Sequence, residues 1–335
     1  MRFIGPLLML AACALAQGSA KQLATIEFFG HKGLDTAAIR QALPVHEGDP
    51  FPGKRGDREW SRLVEASVTK SIGMPPTDVR FVCCTQEGNF TLYIGLPGAT
   101  FSPVAFKPVP TGKTSLPKKL VQLYERAGKA GYEAIMSGKS AEDRIQGYSL
   151  FVEPKARASQ LVFRDEVLRN EESVFQVLAN SSNHEQRAIA AEALGYARHT
   201  DRQLNAMVQA SLDPDDGVRN NATRALGVLV TAFPEAGLKI PLEPYVALMS
   251  SGSWADHNKA SFLLERLTAA RSPELLEKIR NSPARDSLIE MAQWRNAGHA
   301  YFAILALGRI GGMEEQVLEQ PLTPQQLERI IRSVH

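Results

Sequence analysis

The chain has 335 residues, 44% of them apolar and 22% charged, with a formal net charge of +2. That composition excludes a disordered chain and gives no reason to expect nucleic-acid binding, which needs clustered Lys and Arg. At roughly 100–200 residues per domain, two domains are expected.

The first element is a leader. Arg2 is followed by FIGPLLMLAACALA at 3–16, a run shorter than the roughly 20 apolar residues a spanning helix needs. Ala14 and Ala16 form an A-x-A cleavage site, so residues 1–20 read as a secretory signal. The expectation is an exported protein without a transmembrane span, most simply periplasmic. Leu10-Ala11-Ala12-Cys13 resembles the lipobox of bacterial lipoproteins, which implies a lipid anchor at Cys13; the alternative is that Cys13 is one more apolar residue of the leader. Cys83 and Cys84 then remain, with no C-x-x-C spacing. They read as one core thiol and one incidental residue.

Residues 21–98 read as strand, helix, helix, strand, strand. QLATIEFFG at 22–30 alternates in polarity. Asp35 is placed to cap a short helix carrying Ala38, Ile39, Ala42 and Leu43, which Pro44 ends. A second helix over about 58–72 sets Trp60, Leu63, Val64, Val68 and Ile72 at helical spacing. DVRFVCC at 78–84 and FTLYIGL at 90–96 read as paired strands turning through Gln86-Glu87-Gly88-Asn89. This α+β block, with Ile26, Phe28, Gly30, Leu34, Ile39, Leu43, Gly48 and Phe51 before the closing strand pair, resembles a POTRA domain, a module of outer-membrane assembly, secretion and division proteins. The resemblance implies partner binding by strand addition at an exposed sheet edge.

Residues 99–117 are rich in Pro and Gly and read as an extended linker. Gly112-Lys113-Thr114 is not a P-loop, because Lys107 stands where that motif needs Gly. Residues 118–172 read as a helical cap: one helix from Lys118 with Leu120, Leu123, Tyr124, Ala127, Tyr132 and Ile135 inward, then helical stretches near 141–151 and 156–170.

The C-terminal part, 173–335, repeats itself. QRAIAAEALG at 186–195, VRNNATRALG at 218–227 and HAYFAILALG at 299–308 share one pattern, with a looser copy at 259–268 begun by Asp256 and Lys259. Such a period points to a stacked all-α solenoid. Before the second copy, Asp213 reads as N-cap, Pro214 as N1 and Asp216 as N3. Asn183 caps the first copy with Gln186 as its capping-box partner. Asp213, Asp216, Val218, Arg219, Ala222, Ala225, Leu226 and Gly227, matched by Arg187, Ala190, Ala193, Leu194 and Gly195, resemble HEAT repeats. The resemblance implies that Arg187 and Arg219 pair with acidic residues between repeats. Tyr245 and Tyr301 read as core, and Trp254, in a polar segment, as an interaction residue.

No catalytic constellation is found: no G-x-S-x-G, H-E-x-x-H or G-x-G-x-x-G. None of the seven His stands at i+3 or i+4 from another, so no helical metal pair forms. The reading is an exported interaction scaffold without cofactor or metal, whose partners are other envelope proteins. The alternatives are a component of envelope assembly or secretion acting through the N-terminal module, and a lyase-type enzyme, since HEAT-like repeats also occur in lyases of tetrapyrrole pigments.

Overall fold

The computed structural model describes residues 21–51, 56–83, 85, 88–318, 320 and 322–335. The leader, Cys13 and Cys84 lie outside them. The N-terminal block runs β1 (Leu23–Phe29), α1 (Thr36–Ala42), α2 (Gly56–Ile72), β2 (Asp78–Cys83) and β3 (Phe90–Gly95). The strand order is β1-β3-β2, with β1 parallel and β2 antiparallel to β3. The Asp35 side chain accepts from the N–H of Ala37 and Ala38, which starts α1. Alternation splits the strands between two cores: Ile26, Phe28, Leu92 and Ile94 pack on Ile39, Val64 and Val68, whereas Phe29 and Tyr93 join the core of the helical body. Cys83 is disulfide-bonded, which corrects its reading as a free core thiol.

Beyond the sheet, residues 99–117 are extended, as expected, but they are a docked strap. Ser102 N–H donates to Ser250 O (2.8 Å), Lys107 N–H to Leu212 O (2.9 Å) and Gly112 N–H to Asn180 O (2.8 Å). The strap thus crosses three successive inter-helix loops in reverse chain order. Its Phe106 ring lies 3.8 Å from the Arg219 guanidinium carbon.

The body begins with α3 (Lys118–Met136) and α4 (Pro154–Arg169), which pack together. The segment read as helical near 141–151 is instead a hairpin of β4 (Glu142–Asp143) and β5 (Leu150–Phe151). Turn chemistry overrides helix propensity there: Asp143 accepts from Ile145 N–H, Gly147 N–H donates to Arg144 O, and Gly147 has φ +78°. Tyr132 and Ile135, expected inward, are exposed, because the buried stripe of α3 runs through Leu120, Leu123, Ala127, Ala130 and Ala134.

There follow α5 (Glu171–Asn180), α6 (His184–Leu194), α7 (Asp201–Ala210), α8 (Asp216–Ala232), a 3-10 turn over Pro234–Lys239, α9 (Glu243–Leu248), α10 (Trp254–Thr268), α11 (Pro273–Arg280), α12 (Ala284–Ala292), α13 (Ala297–Ile310), α14 (Glu315–Leu318) and α15 (Pro324–Ser333). The motif helices are α6, α8, α10 and α13, and each packs on the next. The body is therefore helical-repeat-like, behind a small N-terminal sheet.

Their caps set the register. Asn183, Asp215 and Asn296 each cap a motif helix with their side chains, and Ser253 holds the same place before α10. The cap of α8 is thus Asp215 and not Asp213, and Asp216 is the first helical residue. Asp213 is engaged elsewhere: it takes Arg187 side-on, with Nε 2.8 Å and Nη2 2.9 Å from its two oxygens. Gln186 makes no capping box and accepts from Leu116 N–H of the strap. Arg219 repeats the pairing one helix on, with Asp256 at 2.8 and 2.9 Å. All four side chains of these rungs are almost wholly buried.

Aligned on the caps, Arg187, Arg219, His257 and Ala300 are equivalent, as are Gly195, Gly227, Glu265 and Gly308. The third copy therefore starts earlier than 259–268, with Ala260 at the small-residue position and His257 at that of arginine. Arg187 also donates to Ser181 O, Arg219 to Asp213 O and His257 to Ser251 O, the same backbone bond made three times. Glu265, in place of the glycine, is held by Arg309 at 2.9 Å. Ala190, Leu194, Val218, Ala222 and Leu226 are fully buried. A Cβ on Gly227 would stand 2.4 Å from the Phe262 ring, and on Gly195 3.1 Å from Ala225.

The sheet docks where the arginine rungs stop. Phe29 lies 4.6 Å from the His257 ring, and Tyr93 touches Trp254, Trp294 and His299. Trp254 therefore meets a partner within its own chain. Tyr301, expected in the core, is exposed, while Tyr245 is fully buried. Glu290 accepts from the consecutive N–H groups of Gly30, His31 and Lys32 at 2.7, 3.1 and 3.0 Å. Trp294 donates to Phe28 O and Arg295 to Ile26 O. Those two contacts cover the outer edge of β1.

Asp213→Ala or Arg219→Met leaves a buried charge without its partner, and the expected loss of unfolding free energy is about 3–5 kcal/mol. Urea denaturation measures it, with Arg332→Met, on an exposed pair, expected to lose less than about 1 kcal/mol. The junction adds a pH dependence. Burial pulls His257 down to about 4, and burial with Lys259 nearby does the same to His299. Below 6.5 the unfolded chain takes up protons that both folded imidazoles refuse, so stability falls as pH drops from 6.5 toward 4 and is insensitive to them above 6.5. Denaturation at steps across that window checks this, and His257→Gln is expected to flatten the slope.

Candidate functional site

Between α3, α4, the hairpin and the paired helices α6 and α8 lies a cleft of about 350 Å³. Tyr124, Phe151, Phe163 and Tyr196 give it aromatic walls, and Glu142, Glu192 and Arg224 bring charge to it. Glycine keeps one wall low. Gly131 is required by packing, since a Cβ there would stand 2.8 Å from the Phe151 ring, but a Cβ on Gly128 would meet nothing within 4 Å. Tyr132 and Ile135 stand exposed on the same rim of α3.

The charged floor is built by two helices and the hairpin. Glu142 bridges two arginines: its Oε2 accepts from Arg144 at 2.8 Å and its Oε1 from Arg224 at 2.5 Å. Burial pushes its carboxyl up, but Arg224 and Arg144 outweigh burial and hold it below the ordinary value. The same terminal nitrogen of Arg224 lies 3.2 Å from Ser149 Oγ. Ser149 O in turn accepts from Tyr196 OH (2.9 Å), and Gln160 donates to that hydroxyl (2.9 Å). The hairpin is thus pinned to α4, to Tyr196 just beyond α6, and to α8.

Glu192 and Lys259 differ from this network. Neither side chain makes a hydrogen bond or ion pair with another described residue, and both are half-buried with their polar atoms open to water. Burial raises the carboxyl of Glu192, with Arg224 opposing. Burial, and Arg224 after it, lowers the amine of Lys259 to about 8. Glu142, Glu192, Arg144 and Arg224 all act electrostatically on Lys259, which is not itself one of the residues lining the cleft. No group of three or more His, Cys, Asp or Glu among the described residues is placed to hold a metal ion, and no described helix is long and apolar enough to cross a membrane.

The residues singled out from the sequence are mostly elsewhere. Arg187, Asp213 and Arg219 form the rungs, Asp216 pairs with Arg80 of β2 at 2.6 Å, and Trp254 lies at the junction. None of them lines the cleft except through the spacing they set. Its own residues carried two signals that were passed over. Gly128 and Gly131 interrupt a strong helix former. Glu192 and Arg224 occupy the same place in their motifs, a charge directly before A-L-G.

No protein-family model matches the chain, and no curated protein does. Among solved structures it is similar to an engineered protein, with a TM-score of 0.36 at 16% identity over 65% of this chain and 97% of that one. It is also similar to the CpcE–CpcF complex of phycocyanin lyase from Nostoc sp., with a TM-score of 0.22 at 15% identity over 70% of this chain and 100% of that one. Likenesses of this size say nothing of what the chain binds.

Proposed function

We propose that the protein is a non-enzymatic, exported scaffold that docks other envelope proteins, with the aromatic cleft beside α3 as its main binding surface and the repeat helices as a HEAT-like frame. The observation that carries this reading is Gly128. A glycine inside a helix costs about 1 kcal/mol relative to alanine, and no packing contact asks for one here. What it supplies is room in a cleft that already has aromatic walls, a charged floor and an apolar exposed rim, the combination that suits an inserted side chain of a partner. The leader at 1–20 supports export, and the placement among envelope proteins follows from it.

A second reading is favoured by one feature of the sheet. Among the described residues, the outer edge of β2 has no backbone partner, whereas Glu47, Trp294 and Arg295 cover that of β1. A POTRA-like module acting in envelope assembly would take a partner strand at β2 alone.

Both readings meet in one experiment. A photo-reactive amino acid at Ile135 in cells making the full chain is expected to capture a protein partner, and Gly128→Leu, which fills the cleft from a good helix former, is expected to abolish the adduct without lowering the melting temperature. Adducts that survive Gly128→Leu would sink the cleft reading, and adducts from Val82 of β2 alone would favour strand addition. A visible absorbance band in the purified protein would argue against a role without cofactor.

A further inference from the structure

We propose that the strap over residues 99–117 is a built-in ligand, and that the face it covers is a track for an extended, proline-punctuated segment of a partner polypeptide. This surface is separate from the cleft beside α3 and does not rest on it.

The register of the strap carries the inference. Its N–H groups reach the backbone of the helical body at Ser102, Lys107 and Gly112, which stand five residues apart, and they donate to the carbonyls of Ser250, Leu212 and Asn180. Each carbonyl lies three residues before the cap position of a motif helix, at Ser253, Asp215 and Asn183. Five residues of strap thus meet one repeat of the body. The next places in the same count are Pro97 and Pro117, which have no N–H to give, so the register closes at both ends. Ser102 and Lys107 each precede a proline, which keeps them out of helical backbone. Gly112 marks the third site by size, since a Cβ there would stand 2.5 Å from Asn180 O. Phe106, directly before Lys107, covers the Arg219 guanidinium. The body therefore reads an extended chain by main-chain position, and a partner segment with the same spacing fits the same places.

The strap is held firmly at its ends and weakly between them. Thr100 donates to Glu290 at 2.7 Å, and Leu116 is buried. From Ser102 to Ser115 no residue is buried, and cavities of about 490 and 480 Å³ undercut the strap at Pro103 and Val104. Packed helices stand about 8–10 Å apart, whereas five extended residues reach roughly 16 Å, so the strap has slack between its anchors. It lifts from the track without disturbing either end, and segments with few buried contacts are the first to open. A partner segment then takes the vacated carbonyls and the uncovered face of Arg219.

The test adds a synthetic peptide of residues 99–117 to the full chain. Gly112→Val in the chain weakens its own strap and frees the track, so the peptide is expected to bind that variant about tenfold tighter than the unaltered chain. The same substitution in the peptide is expected to abolish binding, as is Lys107→Pro, which removes a register N–H. One change thus acts in opposite directions on the two sides, which a strap with a purely structural role does not produce. Hydrogen exchange of the unaltered chain is the second measurement and decides the matter if the Gly112→Val chain does not fold. The N–H groups of Ser102, Lys107 and Gly112 are expected to exchange at denaturant concentrations where those inside α8 stay protected. Exchange of the strap only together with α8, a peptide that binds neither chain, equal binding to both, or binding that survives Gly112→Val in the peptide overturns the proposal.

Discussion

The buried arginine–carboxylate rung is the interaction on which the rest of this protein depends. Arg187 grips Asp213 and Arg219 grips Asp256, each with two parallel bonds, in positions that water hardly reaches. Desolvating two charges is expensive, and a pair is tolerated in such a place only when its remaining donors are also satisfied. Here they are: each arginine also reaches a backbone carbonyl in the loop before its own helix. One side chain therefore joins the loop in front of its own helix to the start of the next motif helix. That fixes the distance between repeats more tightly than apolar packing alone, because apolar contacts slide and bidentate bonds do not.

The rung ends for a physical reason. At the third repeat the arginine is His257, which keeps the carbonyl bond to Ser251 but carries no charge once buried. No carboxylate is then needed opposite it, and the place is taken by the Phe29 ring of the sheet. The N-terminal block thus docks where the charge ladder stops. Its own contribution is complementary: the turn at Gly30, with φ +68°, aims three N–H groups at Glu290, and Trp294 and Arg295 close the edge of β1. The cleft sits at the other side of the same frame. Helices α6 and α8, held at rung spacing, bring Glu192 and Arg224 to it, and the hairpin closes on Arg224 through Glu142.

What was legible in the sequence was periodic or local. The motif helices, the caps at Asp35 and Asn183 and the strand–helix–helix–strand–strand order follow from spacing within a few residues; the arginine pairing, with partners 26 and 37 residues away, was implied by the resemblance to HEAT repeats. Where several residues competed for one role, the sequence alone was ambiguous. In Asp213-Pro214-Asp215-Asp216 any of three carboxylates fits a cap, and tertiary demand decided: Arg187 claims Asp213, so Asp215 caps. The third copy was misplaced because Leu267 matches the leucine of the motif ending, although Arg266 and Thr268 replace its Ala and Gly, whereas Ser253 sets the real start. The hairpin at 142–151 is too short to announce itself by alternation. Burial of Phe29 and Tyr93 was foreshadowed by apolar residues on both faces of β1 and β3, but their partner lies some two hundred residues away in the chain, beyond any local pattern.

The glycines separate what the fold demands from what it leaves free. At Gly227 and Gly308 a methyl group would collide with Phe262 and with Leu318 of the next element, so these residues are explained by close helix packing, as Gly131 is by Phe151. Each lies in helical backbone, so the requirement is steric and not conformational. Gly128 has neither excuse: it is helical, exposed, and faces nothing. The repeat frame would be as well packed, and the helix better formed, with alanine there. A residue that weakens its own helix and serves no internal contact fits the proposed docking of a partner's side chain, for which the exposed Tyr132 and Ile135 on the same rim of α3 supply further apolar surface.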